Sequence, residues 1–161
     1  MKMFIDGDSC CAIKTAEAIA SKNNIECHIY CDSSHIIKSD YSEVHIIQKG
    51  ANAVDFAIVN VLNKGDVIIT NDAGLAALAL AKKGFAVNTF GMEYTNRNIM
   101  SFLNRRYIYK DAKRKCKRDQ VHGRHTLCKT DSTTSFKTQL YRIIKRKQDS
   151  KMHTRKERLL A

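Results

Sequence analysis

The sequence predicts an α/β fold in which a mostly parallel β-sheet lies between two layers of helices. The first hundred residues alternate short β-branched runs with segments of helical periodicity, which is the pattern of βαβ units. One run, residues 67–70, is apolar or β-branched throughout and is typical of a strand buried on both faces. A chain of 161 residues, 43% of them hydrophobic, can bury a substantial core as one domain. We therefore expect a three-layer αβα unit with a basic helical C-terminal region.

The first half of the chain is predicted to form three strands and two helices. The first apolar run is followed by Ser9, which can cap a helix whose alanine and isoleucine residues share one face. After Gly50, a wide apolar surface predicts a second helix that packs deeply on the sheet. The predicted bounds are 3–6, 25–30 and 44–47 for the strands and 9–23 and 53–62 for the helices.

The second half continues this alternation and then becomes basic and helical. Gly84 ends a helix rich in alanine and leucine, and the pattern turns helical again from Thr95. The predicted bounds are 67–70 and 85–89 for the strands and 73–83 and 132–147 for two of the helices, the last with an apolar stripe of Phe136, Leu140, Ile143 and Ile144. We expect an α/β core of residues 1–107, a basic helical extension of residues 108–148 packed on or beside it, and a disordered tail of residues 149–161.

Charge is distributed unevenly along the chain. Residues 1–96 hold 8 Lys and Arg against 11 Asp and Glu, a net charge of −3, whereas residues 97–161 hold 20 against 5, a net charge of +15. A basic region of this size favours a polyanionic partner, and RNA is the nucleic acid we expect, because neutralised phosphates release counterions. The alternative is a solvated basic tail that only aids solubility.

The apolar runs and the cysteines indicate the cellular compartment. No apolar run approaches the roughly 20 residues of a membrane helix, and Met1 leads directly into a strand, so we expect a cytoplasmic protein without a membrane partner. The six cysteines lie in a chain that is large and apolar enough to fold without disulfides, and we expect reduced thiols. The sequence does not indicate an oligomeric state.

Three aspartates follow apolar runs and are the first candidates for chemistry. Asp6 and Asp8 follow the first strand, and Asp72 follows the strand at 67–70. The carboxyl ends of parallel strands line one crevice, so these acids can converge, and two unit charges about 4 Å apart repel by roughly 4 kcal/mol. Protonation or a hard cation such as Mg²⁺ would relieve that repulsion. The alternative is structural, because Asp8 and Asp72 each precede a helix that they could cap.

Known phosphate-binding motifs give little support to other enzyme classes. The sequence contains neither G-x-G-x-x-G after the first strand nor G-x-x-x-x-G-K-[ST], which disfavours dinucleotide and P-loop proteins. The run Phe4-Ile5-Asp6-Gly7-Asp8-Ser9 resembles the first motif of haloacid-dehalogenase-like phosphohydrolases, where the first Asp is the nucleophile and the second the general acid. That family also needs a downstream lysine, which Lys82 or Lys83 could supply, and a late acidic pair, for which the basic C-terminal region offers no convincing candidate.

A cluster of potential zinc ligands lies in the basic connector. Cys116, His122, His125 and Cys128 occur within one predicted loop, but their spacing is not that of a standard zinc finger and their surroundings are cationic. We therefore do not expect zinc there.

The chain as a whole resembles the YaiI/YqxD family of uncharacterised bacterial proteins, which have a PIN-like domain. The segments that carry this resemblance are Asp6-Gly7-Asp8-Ser9-Cys10, Asp32-Ser33-Ser34-His35, residues 53–60, residues 65–76 and Gly91-Met92-Glu93-Tyr94-Thr95. The chain departs from the family at Gly7, Ser9 and Cys11, but it keeps the acids. The resemblance implies an acidic PIN-like pocket, and PIN domains are commonly Mg²⁺- or Mn²⁺-dependent ribonucleases.

The resemblance also supplies roles for individual residues. It implies that Asp6, Asp55 and Asp72 hold one or two divalent ions and that Asp8 assists through a water or a second ion. His35 matches the family's histidine after the second strand, which implies that it orients a phosphate or a water; the alternative is an ordinary loop histidine. The further positions expected to contact the substrate are Ser33, Thr70, Asn71, Arg106, Lys113 and Arg114. The hypothesis is a metal-dependent nuclease that acts on RNA, and the alternatives are a nucleic-acid-binding protein that does not catalyse and the phosphohydrolase.

Overall fold

A computed structural model of the chain describes residues 1–115 and 130–159, with side chains for residues 1–108 and 133–149. Its centre is a six-stranded sheet in the order β3-β2-β1-β4-β5-β6, in which β1 to β5 are parallel and β6 is antiparallel to β5. The strands are β1 (Met3–Asp6), β2 (Cys27–Asp32), β3 (Glu43–Ile47), β4 (Val67–Ile69), β5 (Phe85–Val87) and β6 (Glu93–Tyr94). The helices are α1 (Ile13–Lys22), α2 (Ala53–Val61), α3 (Ala73–Ala81), α4 (Ile99–Lys115) and α5 (Thr130–Leu159).

Two layers of helices cover the two faces of this sheet. Met3 and Ile5 of β1 pack with α1 and α5, whereas Phe4 between them packs with α2, α3 and α4. This division follows from the period of two along a strand, which turns successive side chains to opposite faces. The predicted three-layer α/β fold with a mostly parallel sheet is therefore confirmed.

Helix α5 completes one of the two helical layers. The predicted apolar stripe is buried in the core beside α1, with Phe136, Leu140 and Ile143 fully inaccessible to solvent. The helix is longer than predicted, because its backbone continues from Thr130 to Leu159 and includes most of the segment expected to be a disordered tail. The division of the chain into core, extension and tail stays a prediction.

The structure differs from the prediction at three further places. Strand β6 was not predicted, since it has only two residues and depends on a turn in which the Asn88 side chain accepts hydrogen bonds from the amides of Phe90 and Met92. Helix α1 has Ala12 as its N-cap instead of Ser9. Helix α2 buries Val54 and Ile58, and its C-cap Leu62 is also buried, but Phe56 of its apolar surface is 59% exposed.

The described cysteines differ in burial and in oxidation state. Cys10, Cys27 and Cys31 are free and buried, as expected of reduced thiols, but Cys11 is exposed and disulfide-bonded, so the prediction is wrong for that residue. An exposed thiol is more accessible to oxidation than a buried one.

Within residues 1–115 and 130–159, no helix has the length and apolar character that a membrane crossing requires.

Candidate functional site

A cleft with five carboxylates lies at the carboxyl ends of the central strands. Strand β1 pairs with β2 on one side and with β4 on the other. The order in which the chain adds strands to the sheet therefore reverses at β1, and such a switch point leaves a crevice at the carboxyl ends of the strands. The cleft has a volume of about 250 Å³, and the first turn of α2 forms its other wall. The acidic residues that line it are Asp6, Asp8, Asp32, Asp55 and Asp72. The structure thus brings together all four predicted aspartates.

Asp6 is the most deeply buried of these acids. It ends β1 and is only 4% exposed, and its Oδ2 accepts hydrogen bonds from Ser9 Oγ at 2.6 Å and Thr70 Oγ1 at 2.7 Å. Burial raises the pKa of Asp6, and these two hydroxyl groups act in the opposite direction. Ser9 is therefore used to orient Asp6, which explains why it does not cap α1.

Asp8 and Asp32 meet at the mouth of the cleft with His35. Asp8 Oδ1 accepts a hydrogen bond from the Asp32 amide at 3.0 Å, and His35 Nδ1 lies 3.1 Å from Asp8 Oδ1 and 3.1 Å from Asp32 Oδ1. The hydroxyl and amide of Ser34 donate to Asp32 and lower its pKa to about 2. A nitrogen between two carboxylates carries a proton, so Nε2 of a neutral His35 is the hydrogen-bond acceptor.

Asp72 has a capping role as well as a place in the cleft. Its Oδ1 accepts a hydrogen bond from the Gly74 amide at 2.6 Å and caps α3, which is the structural role considered from the sequence. The same atom forms an ion pair with Arg106 Nη1 from α4. A Cβ at position 74 would lie 2.7 Å from Arg106 Nη1, so glycine leaves the room that this guanidinium needs.

Asp55 is the acid of the cleft whose pKa is raised to near neutrality. It lies in the first turn of α2, and its pKa rises to about 6 because of partial burial and the charges of Asp72 and Asp6, while Arg106 acts in the opposite direction. A carboxyl group whose pKa is raised first by burial and then by neighbouring carboxylates is a candidate functional residue. The cleft therefore suits a bound cation.

Two residues predicted to contact the substrate make hydrogen bonds within the protein. Thr70 is fully buried, and its hydroxyl donates to Asp6 and accepts from the Asp72 amide at 3.0 Å, so it positions the acids and is not accessible to a substrate. The Asn71 side chain donates to the Ser9 carbonyl at 2.7 Å and accepts from the Thr89 amide at 3.1 Å. Asn71 thus links the loops around the cleft.

The other predicted positions are an exposed serine and residues whose side chains lie outside the described part of the chain. Ser33 is exposed beyond the end of β2, with its amide bonded to the Ile47 carbonyl. Lys113 and Arg114 are part of α4, but their side chains lie outside the described part of the chain. The four residues considered and disfavoured as zinc ligands, Cys116, His122, His125 and Cys128, lie outside the described residues altogether.

Sequence reasoning missed Asp32 as a member of the cleft. It ends β2, just as Asp6 ends β1, so the rule that selected Asp6 could have selected it too. Its place in a motif with His35 drew attention to the histidine instead.

A broader groove adjoins the cleft on the side of α4. One part is lined by Ser9, Asn71 and Arg105, and another by Phe56, Arg106 and Tyr107. The rings of Phe56 and Tyr107 are 59% and 73% exposed. Cationic and aromatic side chains therefore stand next to the carboxylates.

Comparison with known proteins yields a family and no activity. A family model described as "Uncharacterized BCR, YaiI/YqxD family" matches residues 4–146. A UPF0178 protein of Clostridium acetobutylicum is 40% identical over 123 residues, which are 76% of this chain and 83% of that protein. A UPF0178 protein of Lachnoclostridium phytofermentans is 34% identical over 145 residues, which are 90% of this chain and 97% of that protein. No solved structure matches the chain.

Proposed function

This chain belongs to the YaiI/YqxD family, and we propose that it is a divalent-cation-dependent phosphodiesterase that cleaves RNA in the carboxylate cleft. The observation that carries the proposal is the convergence of five carboxylates from separate segments on one cleft. Helix caps alone do not require such convergence, and it costs electrostatic energy unless a cation is bound.

The donor set of the cleft fits a hard divalent cation. Its side chains offer carboxylate oxygens, which are the ligands that Mg²⁺ and Mn²⁺ prefer. Asp6, Asp55 and Asp72 would hold the cation, with Asp6 kept in orientation by the hydroxyls of Ser9 and Thr70. The raised pKa of Asp55 supports this assignment, because a bound cation would favour its ionised form.

The chain's own residues would divide the remaining work of hydrolysis. A bound divalent cation supplies polarisation of the phosphoryl oxygen and activation of a water. His35 Nδ1 lies 3.1 Å from a carboxylate oxygen of Asp8 and of Asp32 and would donate its proton to them, which leaves Nε2 to accept a proton from an attacking water. Arg106, at the edge of the cleft, is placed to bind a phosphate oxygen of the substrate when its contact with Asp72 is exchanged.

RNA is the proposed substrate because of the groove beside the cleft. Arg105 and Arg106 can bind backbone phosphates, and the exposed rings of Phe56 and Tyr107 offer surfaces on which unpaired bases stack. Helix α4 runs on from these residues with six Lys and Arg against one Asp along its length. The cytoplasmic location expected from the sequence agrees with an RNA substrate.

The proposal is tested by cleavage of single-stranded RNA with Mn²⁺ and with Mg²⁺. Asp6→Asn keeps the shape of the side chain and should abolish cleavage. The matched control is Asp40→Asn, which removes an exposed carboxylate that does not line the cleft and should cleave as the wild type does. Undiminished cleavage by Asp6→Asn would refute the role of the cleft.

The two alternatives from the sequence predict different outcomes. RNA that is bound but never cut, with either cation, would indicate a nucleic-acid-binding protein without catalysis. Hydrolysis of small phosphate monoesters through a trapped aspartyl-phosphate on Asp6 would indicate the haloacid-dehalogenase-like phosphohydrolase. Either outcome would replace the nuclease proposal.

A further inference from the structure

A second cluster of metal-ligating side chains lies at the other end of the sheet. His28 near the start of β2 pairs in register with Glu43 at the start of β3, and Tyr30 pairs with His45. Because residues two apart on a strand point to the same face, His28, Glu43 and His45 share one face of adjacent strands. His28 precedes Asp32 by four residues, about 13 Å along the strand, so the cluster is separate from the carboxylate cleft.

Three donor atoms of this cluster converge on one point. His28 Nδ1 lies 3.1 Å from His45 Nε2 and 3.3 Å from Glu43 Oε2, and His45 Nε2 lies 3.8 Å from that oxygen. Two donor atoms that are bound about 2.1 Å from one tetrahedral ion lie about 3.4 Å apart. The triangle therefore has the dimensions of one face of a tetrahedral coordination shell.

The outer nitrogen of His28 has the partner that a metal-binding histidine usually has. Its Nε2 lies 2.8 Å from Glu26 Oε1, which is also bound by Lys2 Nζ at 2.7 Å. A proton on Nε2 directed at this carboxylate leaves a lone pair on Nδ1. In the metal-free protein the Nε2–H of His45 can donate to this lone pair at 3.1 Å. A cation that displaced the His45 proton would bind both nitrogens and the Glu43 carboxylate. A carboxylate behind a ligating imidazole is the common second-shell arrangement of zinc sites.

Aromatic stacking holds both imidazole rings in place. His28 stacks on Phe4 with ring centres 5.4 Å apart, and His45 stacks on Tyr30 with centres 4.4 Å apart. His28 is buried, while Glu43 is mostly exposed. Rigid ligands with one open side can accept an ion from solvent and leave a fourth position for water.

We propose that His28 Nδ1, His45 Nε2 and Glu43 Oε2 form a binding site for a transition-metal dication such as Zn²⁺. Imidazole nitrogen favours Zn²⁺, Co²⁺ or Ni²⁺ over Mg²⁺, which prefers oxygen ligands. The site thus differs in chemistry from the carboxylate cleft.

Titration of the metal-free full-length protein with Co²⁺ tests the site, with excess Mg²⁺ present to compete at all-oxygen sites. We expect visible d–d absorption without a thiolate charge-transfer band, and Zn²⁺ should displace it. His45→Gln should weaken binding by about 100-fold or more, since loss of second-shell partners alone costs about 10–100-fold. Glu26→Gln should weaken it by about 10-fold.

Two further variants make the test decisive. Glu43→Gln alters a mostly exposed side chain that the fold does not depend on, and it should also weaken Co²⁺ binding. His35→Gln removes the histidine of the other cluster of possible ligands, Asp8, Asp32 and His35, and should leave unchanged the Co²⁺ binding that His45→Gln weakens. Wild-type Co²⁺ affinity in both His45→Gln and Glu43→Gln, or loss of all the d–d absorption in His35→Gln, would overturn the proposal.

Discussion

At the scale of single residues, Asp55 links the chemistry of the cleft to the stability of the fold. Its pKa is raised from 3.8 to about 6, so the folded state holds this proton more tightly than the unfolded state does. The free energy of unfolding should therefore fall as pH rises from 3.8 through about 6, and the full penalty should remain at neutral pH. The proposed cation-binding role of Asp55 would thus lower the stability of the metal-free fold, as functional residues commonly do.

The first prediction is that Asp55→Asn stabilises the metal-free protein at neutral pH. The gain should be about 1 kcal/mol once solvent screening of this partly exposed group is taken into account, and it should vanish in acid. Denaturant unfolding at several pH values measures it. Added Mn²⁺ should stabilise the wild type more than the variant, because ligand binding to the folded state removes the penalty only where the carboxylate remains. A variant that is less stable than the wild type at neutral pH would contradict the assignment.

At the scale of elements, the apolar stripe of α5 contributes to the core of the fold. Phe136, Leu140 and Ile143 are fully buried and share with β1 and α1 one hydrophobic cluster on that face of the sheet. Gly91, at φ +83° in the turn before β6, lies so close to Ser135 that a Cβ would stand 2.4 Å from its carbonyl carbon. The fold of the first hundred residues therefore depends on a helix from the basic region.

The second prediction is that Leu140→Ala lowers the free energy of unfolding by about 3 kcal/mol, because it leaves a cavity in a closely packed layer. Tyr141→Ala is the matched control, since this neighbouring side chain is 41% exposed and should change stability much less. Equal, small losses in both variants would mean that α5 is not docked as described.

Helices and strands with a regular pattern of apolar residues could be predicted from the sequence. Features that depend on a side-chain hydrogen bond to a distant part of the chain could not. The stripe of Phe136 and Leu140 repeats at helical spacing, and the apolar run that became β4 is visible without a structure. By contrast, β6 exists because the Asn88 side chain closes a turn, and Ser9 bonds Asp6 instead of capping a helix. Neither choice is encoded by local propensity, since each depends on a partner brought close by the fold.

At the scale of the whole molecule, the N-terminal and C-terminal parts contribute opposite charges to one surface. Residues 1–96, with a net charge of −3, supply the five acids of the cleft, and α4 begins the region of net charge +15 beside it. Arg106 joins the two parts through its ion pair with Asp72. Under the proposed function, the basic side chains would attract a polyanion to the groove and the acids would hold the cation.

The third prediction separates this directed attraction from mere basicity. The affinity for single-stranded RNA should fall linearly with salt on logarithmic axes, and Arg105→Ala, in the groove beside Ser9 and Asn71, should reduce the slope by about 0.7, the value for one phosphate contact. Lys22→Ala is the control, since this exposed residue in the last turn of α1 lies away from the cleft and should leave the slope unchanged. Fluorescence anisotropy across a salt series measures both. If both variants reduced the slope equally, the attraction would come from net charge alone, and the basic region would be the solvating tail considered as the alternative from the sequence.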